Sequence, residues 1–458
     1  MSQLDTVQLQ RFKYAYFIGI GGIGMSALAR YFNQLGWVVA GYDKTPSPLT
    51  DELQHEGIEI HFNDTVELIP VEFKSIEETL VVYTPAIPKE HAELNWFKSN
   101  NAQLFKRSEV LGILTRHSKG LGVAGTHGKT TTSSMLAHIL HQSSMPCNAF
   151  LGGIATNFES NLVVDKTAEF TVIEADEFDR SFLKLKPFAS IITAMDPDHL
   201  DIYETVDEFE EGFRQYASLT SDAGFLVVRH GLNLNAGNRI TYGMNEPEAD
   251  VVGSNLIYED GSVFMDVQIF GQHWQRVQLG LPGNHNAENA LACIAMTHKL
   301  GLSETEIRAG LASFLGVKRR FEFHLKSERW TYIDDYAHHP TEIHALLHSV
   351  RKMYPDKPIT AIFQPHLFSR TRDFFDGFAA ELSKVDRLIL MPIYPARELP
   401  IEGVTSDNLF TKITASEKEL LQASDVIKRV LQLDGGVLLT VGAGDIDRLI
   451  IPLKSALV

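Results

Sequence analysis

The sequence predicts an α/β protein in three domains. An apolar run, Tyr14 to Ile20, discharges into Gly19-Ile20-Gly21-Gly22-Ile23-Gly24, and a helical pattern follows. A second apolar run ends in Val123-Ala124, after which Gly125-Thr126-His127-Gly128-Lys129-Thr130-Thr131 opens another helix. Beyond about Lys318, further apolar runs alternate with helical patterns. Strand, turn and helix in repetition build parallel sheets with crossover helices. The expected architecture is a Rossmann-like domain over 1–115, a central P-loop parallel-sheet domain over 116–317 and a second Rossmann-like α/β domain over 318–458. The length of 458 residues agrees, because domains usually take roughly 100–200 residues.

Composition removes several classes of function. With 44% hydrophobic residues the chain has ample core and no disordered or fibrous bias. A net charge of -17, from 41 basic and 58 acidic residues, argues against nucleic acid or an anionic membrane as partner. Any phosphate must then be held by local loops and single cations. Cys147 and Cys293 cannot make a disulfide framework and read as buried small hydrophobes, as a reducing cytoplasm would favour. Met1 to Lys13 is polar, and no run approaches the ~18 apolar residues of a membrane span, so neither a secretory signal nor a transmembrane helix is expected.

In the first domain, Met25, Leu28, Ala29 and Phe32 mark a helix directly after the glycines. A second strand, Trp37 to Tyr42, ends at Asp43. This is a dinucleotide-type fingerprint. The backbone of Gly21, Gly22, Ile23 and Gly24 suits a diphosphate, and Asp43 is placed for a ribose hydroxyl. The loop does not discriminate what the diphosphate carries, so NAD(P) and a UDP-sugar both fit. A third strand, Thr79 to Tyr83, runs into Thr84-Pro85-Ala86-Ile87-Pro88, a strand-end loop of the kind that binds ligands in α/β sheets.

The central domain is organised around its phosphate loop. Gly125 and Gly128 let backbone N–H groups turn inward, Lys129 can reach the β- and γ-phosphates, and the Thr130 hydroxyl suits Mg²⁺. The general pattern places its first glycine where this chain has Val123. Two later strands, Phe170 to Ile173 and Ser190 to Met195, end in Glu174-Ala175-Asp176-Glu177 and Asp196-Pro197-Asp198-His199-Leu200-Asp201. Carboxylates at the edge that also bears the phosphate loop suit a hard cation bridging phosphates. Residues 224–279 alternate polar and apolar positions and read as antiparallel strands. Pro282-Gly283-Asn284-His285-Asn286-Ala287-Glu288-Asn289 then opens a helix; its amides and imidazole serve either as caps or as a grip on a nucleotide base.

In the third domain, strands are expected at Thr331 to Asp334, Ile359 to Phe363, Leu388 to Ile393 and Val437 to Val441. Their ends and following turns carry Asp334-Asp335-Tyr336-Ala337-His338-His339-Pro340, Gln364-Pro365-His366, Arg370-Thr371-Arg372 and Gly442-Ala443-Gly444-Asp445. Histidines clustered beside arginines at strand ends point to a binding site.

Taken together, these motifs resemble the Mur ligase family, over nearly the whole chain from Tyr14 to Asp445. The family's phosphate loop lacks the outer glycine, which accounts for Val123. Within the family the resemblance is to the alanine-adding ligases. It implies an ATP-dependent ligase that joins L-alanine to the carboxylate of UDP-N-acetylmuramate through an acyl phosphate, with Mg²⁺, in peptidoglycan precursor synthesis. By resemblance, Gly125, Thr126, His127, Gly128, Lys129, Thr130 and Thr131 hold the phosphates. Thr130 and Glu174 hold Mg²⁺, and His199 holds a second. His285, Asn286 and Asn289 hold the adenine, and Arg320 and Asp335 hold the nucleotide from the third domain. Gly21, Gly22, Ile23, Gly24, Asp43 and Thr84 take the UDP-sugar, and His366 with Arg370 takes alanine. Lys129, Glu174, His199 and Arg370 form the expected catalytic set. Leu367 departs from the pattern, which leads one to expect an arginine there. A monomer or weak homodimer in the cytoplasm completes the expectation.

Three rival readings leave something unexplained. A ligase of the same family that attaches a recycled peptide is disfavoured by the segment around His366 and Arg370. A nicotinamide-dependent oxidoreductase leaves the phosphate loop without a use. A nucleotide switch leaves the polar strand ends of the third domain without one.

Overall fold

In a computed structural model of the chain, residues 9, 11–85, 87–196, 205–234, 237–259, 261–396 and 398–458 are described. Three sheets organise them. The first comprises β1 (Tyr14–Ile18), β2 (Val38–Tyr42), β3 (Glu59–His61), β4 (Thr79–Tyr83) and β5 (Leu104–Lys106) in the order β3-β2-β1-β4-β5, all parallel. Ile18 lies opposite both Tyr42 and Tyr83, so the chain leaves β1, β2 and β4 at one edge, with Gly19, Asp43 and Thr84 next in line. The first strand is two residues shorter than expected because Gly19 turns with φ +87°, a conformation glycine adopts without a Cβ penalty.

The second sheet comprises β6 (Lys119–Ala124), β7 (Cys147–Ala155), β8 (Ser160–Val163), β9 (Phe170–Glu174), β10 (Ala189–Ile192), β11 (Phe225–Arg229), β12 (Arg239–Met244), β13 (Val251–Glu259), β14 (Ser262–Ile269) and β15 (Gln272–Leu279). Its order is β15-β14-β13-β12-β11-β10-β6-β9-β7-β8. Val123 pairs with Glu174 and Ala124 with Ile192, so the phosphate loop, the Glu174 carboxylate and Thr193 emerge together. The strand expected at Ser190 to Met195 stops at Ile192, because the backbone beyond it is diverted onto the loop: Thr126 donates to the Ala194 carbonyl at 3.2 Å. The antiparallel expectation for 224–279 is corrected in part, since β11 pairs parallel with β12 and β12 with β13. Alternation of apolar and polar residues reports which face a strand buries, not the direction of its neighbour. Between β14 and β15, Phe270 and Gly271 both have positive φ, as a two-residue hairpin turn requires.

The third sheet comprises β16 (Glu322–Lys326), β17 (Trp330–Asp335), β18 (Ile359–Phe363), β19 (Arg387–Leu390), β20 (Glu417–Leu420) and β21 (Gly436–Val441) in the order β16-β17-β21-β18-β19-β20. Only β16 is antiparallel to its neighbour. Val441 lies opposite both Asp335 and Phe363, which brings Tyr336, Gln364 and Gly442 to a common edge.

The chain divides into two compact units, 1–254 with 266–277 and 288–314, and 255–265 with 278–287 and 315–458. Within the first, the helix Ile23–Gln34 packs on β7 and β8. Buried Arg30 donates to Asn161 Oδ1 at 2.6 Å, and Asn161 donates back to the Ile23 carbonyl and to Ser26. The first sheet and strands β6 to β12 therefore share one unit, whereas β13, β14 and β15 are each divided between the two. Both cysteines are buried, as expected. Among the described residues no helix is long and apolar enough to cross a membrane.

Candidate active site

The phosphate loop joins β6 to the helix Lys129–His141. Gly125 and Gly128 have φ +140° and +80°. A Cβ on Gly125 would lie 2.1 Å from Thr193 Oγ1, and one on Gly128 would lie 2.7 Å from Asn289 Oδ1. Both glycines are thus required by conformation and by close approach. The helix begins without a side-chain cap, leaving its first N–H groups available to an anion. Thr131 is buried behind the loop, and Thr126 Oγ1 accepts from the Asp196 N–H at 3.2 Å. His127 lies exposed, 3.8 Å from the Asp196 carboxylate.

Lys129 Nζ donates to the Gly125 carbonyl at 2.7 Å and to Glu177 Oε1 at 2.8 Å, with Glu177 Oε2 also at 2.8 Å. The Thr130 hydroxyl donates to Glu174 Oε1 at 3.0 Å, and the Gly152 N–H donates to Glu174 Oε2, also at 3.0 Å. Because its proton is committed to the carboxylate, the Thr130 oxygen keeps its lone pairs for a cation. A hard oxygen pair held this way at the loop fits Mg²⁺. A Cβ on Gly152 would sit 2.2 Å from the Glu174 carboxylate. Gly152→Ala should therefore displace Glu174 and raise the Mg²⁺ concentration for half-maximal activity. Titrating Mg²⁺ against turnover checks this, and an unchanged curve would remove Gly152 from the site.

At the edge of the first sheet, Asp43 faces the glycine turn. Its Oδ2 accepts from the Gly21 N–H at 2.7 Å and its Oδ1 from the Thr45 N–H at 3.3 Å, so it braces the glycine turn. Gly19 passes so close to Thr84 that a Cβ would meet Thr84 Cγ2 at 2.5 Å. Gly22 precedes the helix Ile23–Gln34 with no side-chain cap on its N–H groups. Arg107 lies against this turn: a Cβ on Gly24 would be 2.3 Å from Arg107 Nη1, while Arg107 Nη2 is 3.5 Å from the Asp176 carboxylate.

In the second compact unit, Asp335 accepts from the N–H groups of Phe321 and Ala337, each at 2.8 Å, and desolvation pushes its carboxyl up to about 7. Arg320 is exposed, whereas neighbouring Arg319 is committed to Asp334 and to the Gly442 carbonyl. His285 and Asn286 belong to this unit and Asn289 to the first, although one helix, Asn284–Leu300, carries all three. Asn286 is buried and donates to the Pro282 carbonyl at 2.7 Å, and burial lowers the His285 pKa, favouring the neutral ring. Arg370 Nη1 approaches His366 Nδ1 at 3.4 Å. The His366 ring stacks on Tyr394 at 5.8 Å and 15° and lies 6.3 Å from His338. Burial, then the charge of Arg370, lowers the His366 pKa. Leu367 takes a positive φ of 70° just before the helix Phe368–Asp373. Among the described residues no carboxylate pairs with Arg370.

The structure thus gathers Thr130, Lys129 and Glu174 at one point and His366 with Arg370 at another. His199 lies outside the described residues. Two groups that contact these residues, Gly152 and Arg107, had no role in the sequence reading, and Glu177 was read there with the carboxylates suited to a cation, not as the partner of Lys129. A Gly-Gly pair inside β7 is a usable signal, since glycine within a strand often marks a close approach. Nothing in the spacing of Arg107 distinguishes it from a solvated charge, and nothing in that of Glu177 points to Lys129.

Family models match across the chain: the Mur ligase family catalytic domain at residues 14–119, the Mur ligase middle domain at 123–297 and the Mur ligase glutamate ligase domain at 319–444. The chain belongs to the Mur ligase family. It is 50% identical over 454 residues to a UDP-N-acetylmuramate–L-alanine ligase of Porphyromonas gingivalis, covering 97% of this chain and 99% of that one. It is 48% identical to the ligase of the same name from Cytophaga hutchinsonii, covering 96% of each. The crystal structure of UDP-N-acetylmuramate-alanine ligase from Thermotoga maritima superposes with a TM-score of 0.81 at 27% identity, covering 96% of this chain and 98% of that one. Membership makes this Mur ligase an ATP-dependent, amide-bond-forming enzyme.

Proposed function

We propose that this enzyme joins L-alanine to the carboxylate of UDP-N-acetylmuramate in the cytoplasm, releasing ADP and phosphate. The observation that carries this reading is 50% identity over 97% of the chain to a ligase of that name, together with a phosphate loop whose lysine, threonine and carboxylate converge. The muramic acid carboxylate attacks the γ-phosphorus of ATP, forming an acyl phosphate as ADP leaves. The amine of alanine then attacks the acyl carbon, an amide forms, and phosphate departs. In the first step the protein chiefly positions groups and neutralises charge. Backbone N–H groups of the loop and Lys129 Nζ serve the transferring phosphoryl group. Thr130 and Glu174 would hold Mg²⁺, which when bound offsets phosphate charge, and His199 is assigned to a second ion. His285, Asn286 and Asn289 are assigned to adenine, and Arg320 and Asp335 to the nucleotide. Gly21, Gly22, Ile23, Gly24, Asp43 and Thr84 are assigned to the UDP-sugar. The domains are placed at 1–115, 116–317 and 318–458, in a monomer or weak homodimer without nucleic-acid or membrane partners.

The test is phosphate release from ATP with UDP-N-acetylmuramate, comparing L-alanine, L-serine, glycine, a muropeptide-type tripeptide and no amino acid. L-alanine should give the highest kcat/KM. Preference for the tripeptide would move the enzyme to the peptide-recycling branch. Glu174→Gln keeps the hydrogen bonds of Thr130 and Gly152 within reach but removes a charge. It should raise the Mg²⁺ requirement without changing UDP-sugar affinity. An unaltered Mg²⁺ titration would return Glu174 to a structural role.

A further inference from the structure

The carboxylate of Glu177 holds the lysine that the phosphate needs. Its two oxygens each lie 2.8 Å from Lys129 Nζ, and the Gly125 carbonyl takes a further hydrogen bond at 2.7 Å. An ammonium has three N–H donors, and here at least two are committed to the protein. The pair is shielded: the Glu177 side chain is 1% exposed and that of Lys129 15%. An opposite charge at this distance, away from water, is strongly felt.

We propose that Glu177 is a positioning residue that holds Lys129 in the nucleotide-free enzyme and competes with the nucleotide phosphates for it. The inference rests on the reading of Lys129 as the phosphate lysine. Glu177 occupies the lysine as an internal anion, which keeps Nζ folded over the loop carbonyl instead of swinging into solvent. Arriving phosphates must share or take over that charge while a second anion stands beside them. Apparent affinity is then reduced by the fraction of enzyme in which the lysine is available. The same competition favours departure of ADP after the reaction, because the lysine has a partner to return to. Glu177 therefore lowers nucleotide affinity, opposite to the effect expected of a phosphate or metal ligand.

Glu177→Gln is close to isosteric and keeps an oxygen for Lys129, so the loop should stay in place, with an unchanged melting temperature as the check on folding. Calorimetric titration of the full chain with Mg²⁺·ADP and with a non-hydrolysable ATP analogue reads the effect. Both Kd values should fall by on the order of tenfold, while the Kd for UDP-N-acetylmuramate stays constant. In a Lys129→Ala background, the same Glu177→Gln change should give no tightening, since no lysine remains to compete for. Unchanged or weaker nucleotide binding in Glu177→Gln overturns the proposal, as does tightening that persists without Lys129. Lys129→Ala alone separates the two readings: if it leaves nucleotide affinity intact, the phosphate-lysine reading itself is wrong.

Discussion

Lys129→Ala is expected to lower kcat by on the order of 10²–10³-fold, the usual cost of removing one preorganised charge from a transition state. The lysine is already aimed in the absence of nucleotide, fixed between the Gly125 carbonyl and Glu177. Nζ has then only to exchange Glu177 for phosphate oxygens on binding, after which its charge is in place as charge moves from the γ-phosphate to the leaving oxygen. The fold should tolerate the change, because Lys129 sits at the first turn of its helix and contributes little core area. The truncation does leave Glu177 buried without this partner, so a modest loss of melting temperature is expected as well. Steady-state turnover with saturating ATP checks the prediction, and near-normal kcat would refute the role.

Arg370→Ala is expected to raise the KM for alanine at least tenfold and to leave the KM values for ATP and the UDP-sugar nearly unchanged. The incoming amino acid offers a methyl, an amine and a carboxylate. The amine must stay available to attack, so the carboxylate is its strong handle. A guanidinium fork meets a carboxylate through two parallel hydrogen bonds, and a charged hydrogen bond is worth about 1.5–3 kcal/mol. In the structure no carboxylate among the described residues pairs with Arg370, and a His366 ring disfavoured from charging accepts from it at 3.4 Å. The arginine is therefore oriented but not neutralised, as an anion site needs. Arg370→Lys should be impaired too, since an ammonium cannot reproduce the fork. Leu367, with its apolar side chain, adds no second cation beside Arg370, which should make this arginine matter more. A fall in ATP affinity with alanine affinity intact would make Arg370 a phosphate ligand.

Much of this was legible in one dimension, for a physical reason. A phosphate loop is local: strand, glycines, lysine, threonine and helix lie within about a dozen residues, and backbone conformation there follows from residue type. The same holds for Gly19 to Gly24 before their helix and for the apolar runs that became β1, β4, β6, β18 and β21. Strand-end carboxylates such as Glu174 were legible because a parallel sheet delivers its strand ends to one edge. What the sequence could not specify is pairing across the fold. The direction of β12 and β13, read as antiparallel, depends on neighbours that alternation does not encode. The brace that Asp43 gives the Gly21 N–H is likewise a contact that exists only once β1 and β2 are in register. Sequence alone determined which groups the chain brings to its strand ends: a lysine, a threonine and carboxylates around the glycine loop, and an arginine with a histidine in the third domain. Only the tertiary structure decided which carboxylate serves which partner, Glu174 for Thr130 and Gly152, Asp176 for Arg107, Glu177 for Lys129. Those three carboxylates lie within one four-residue segment, Glu174 to Glu177, but their partners come from separate elements, and distance in space is what assigns a charge its role.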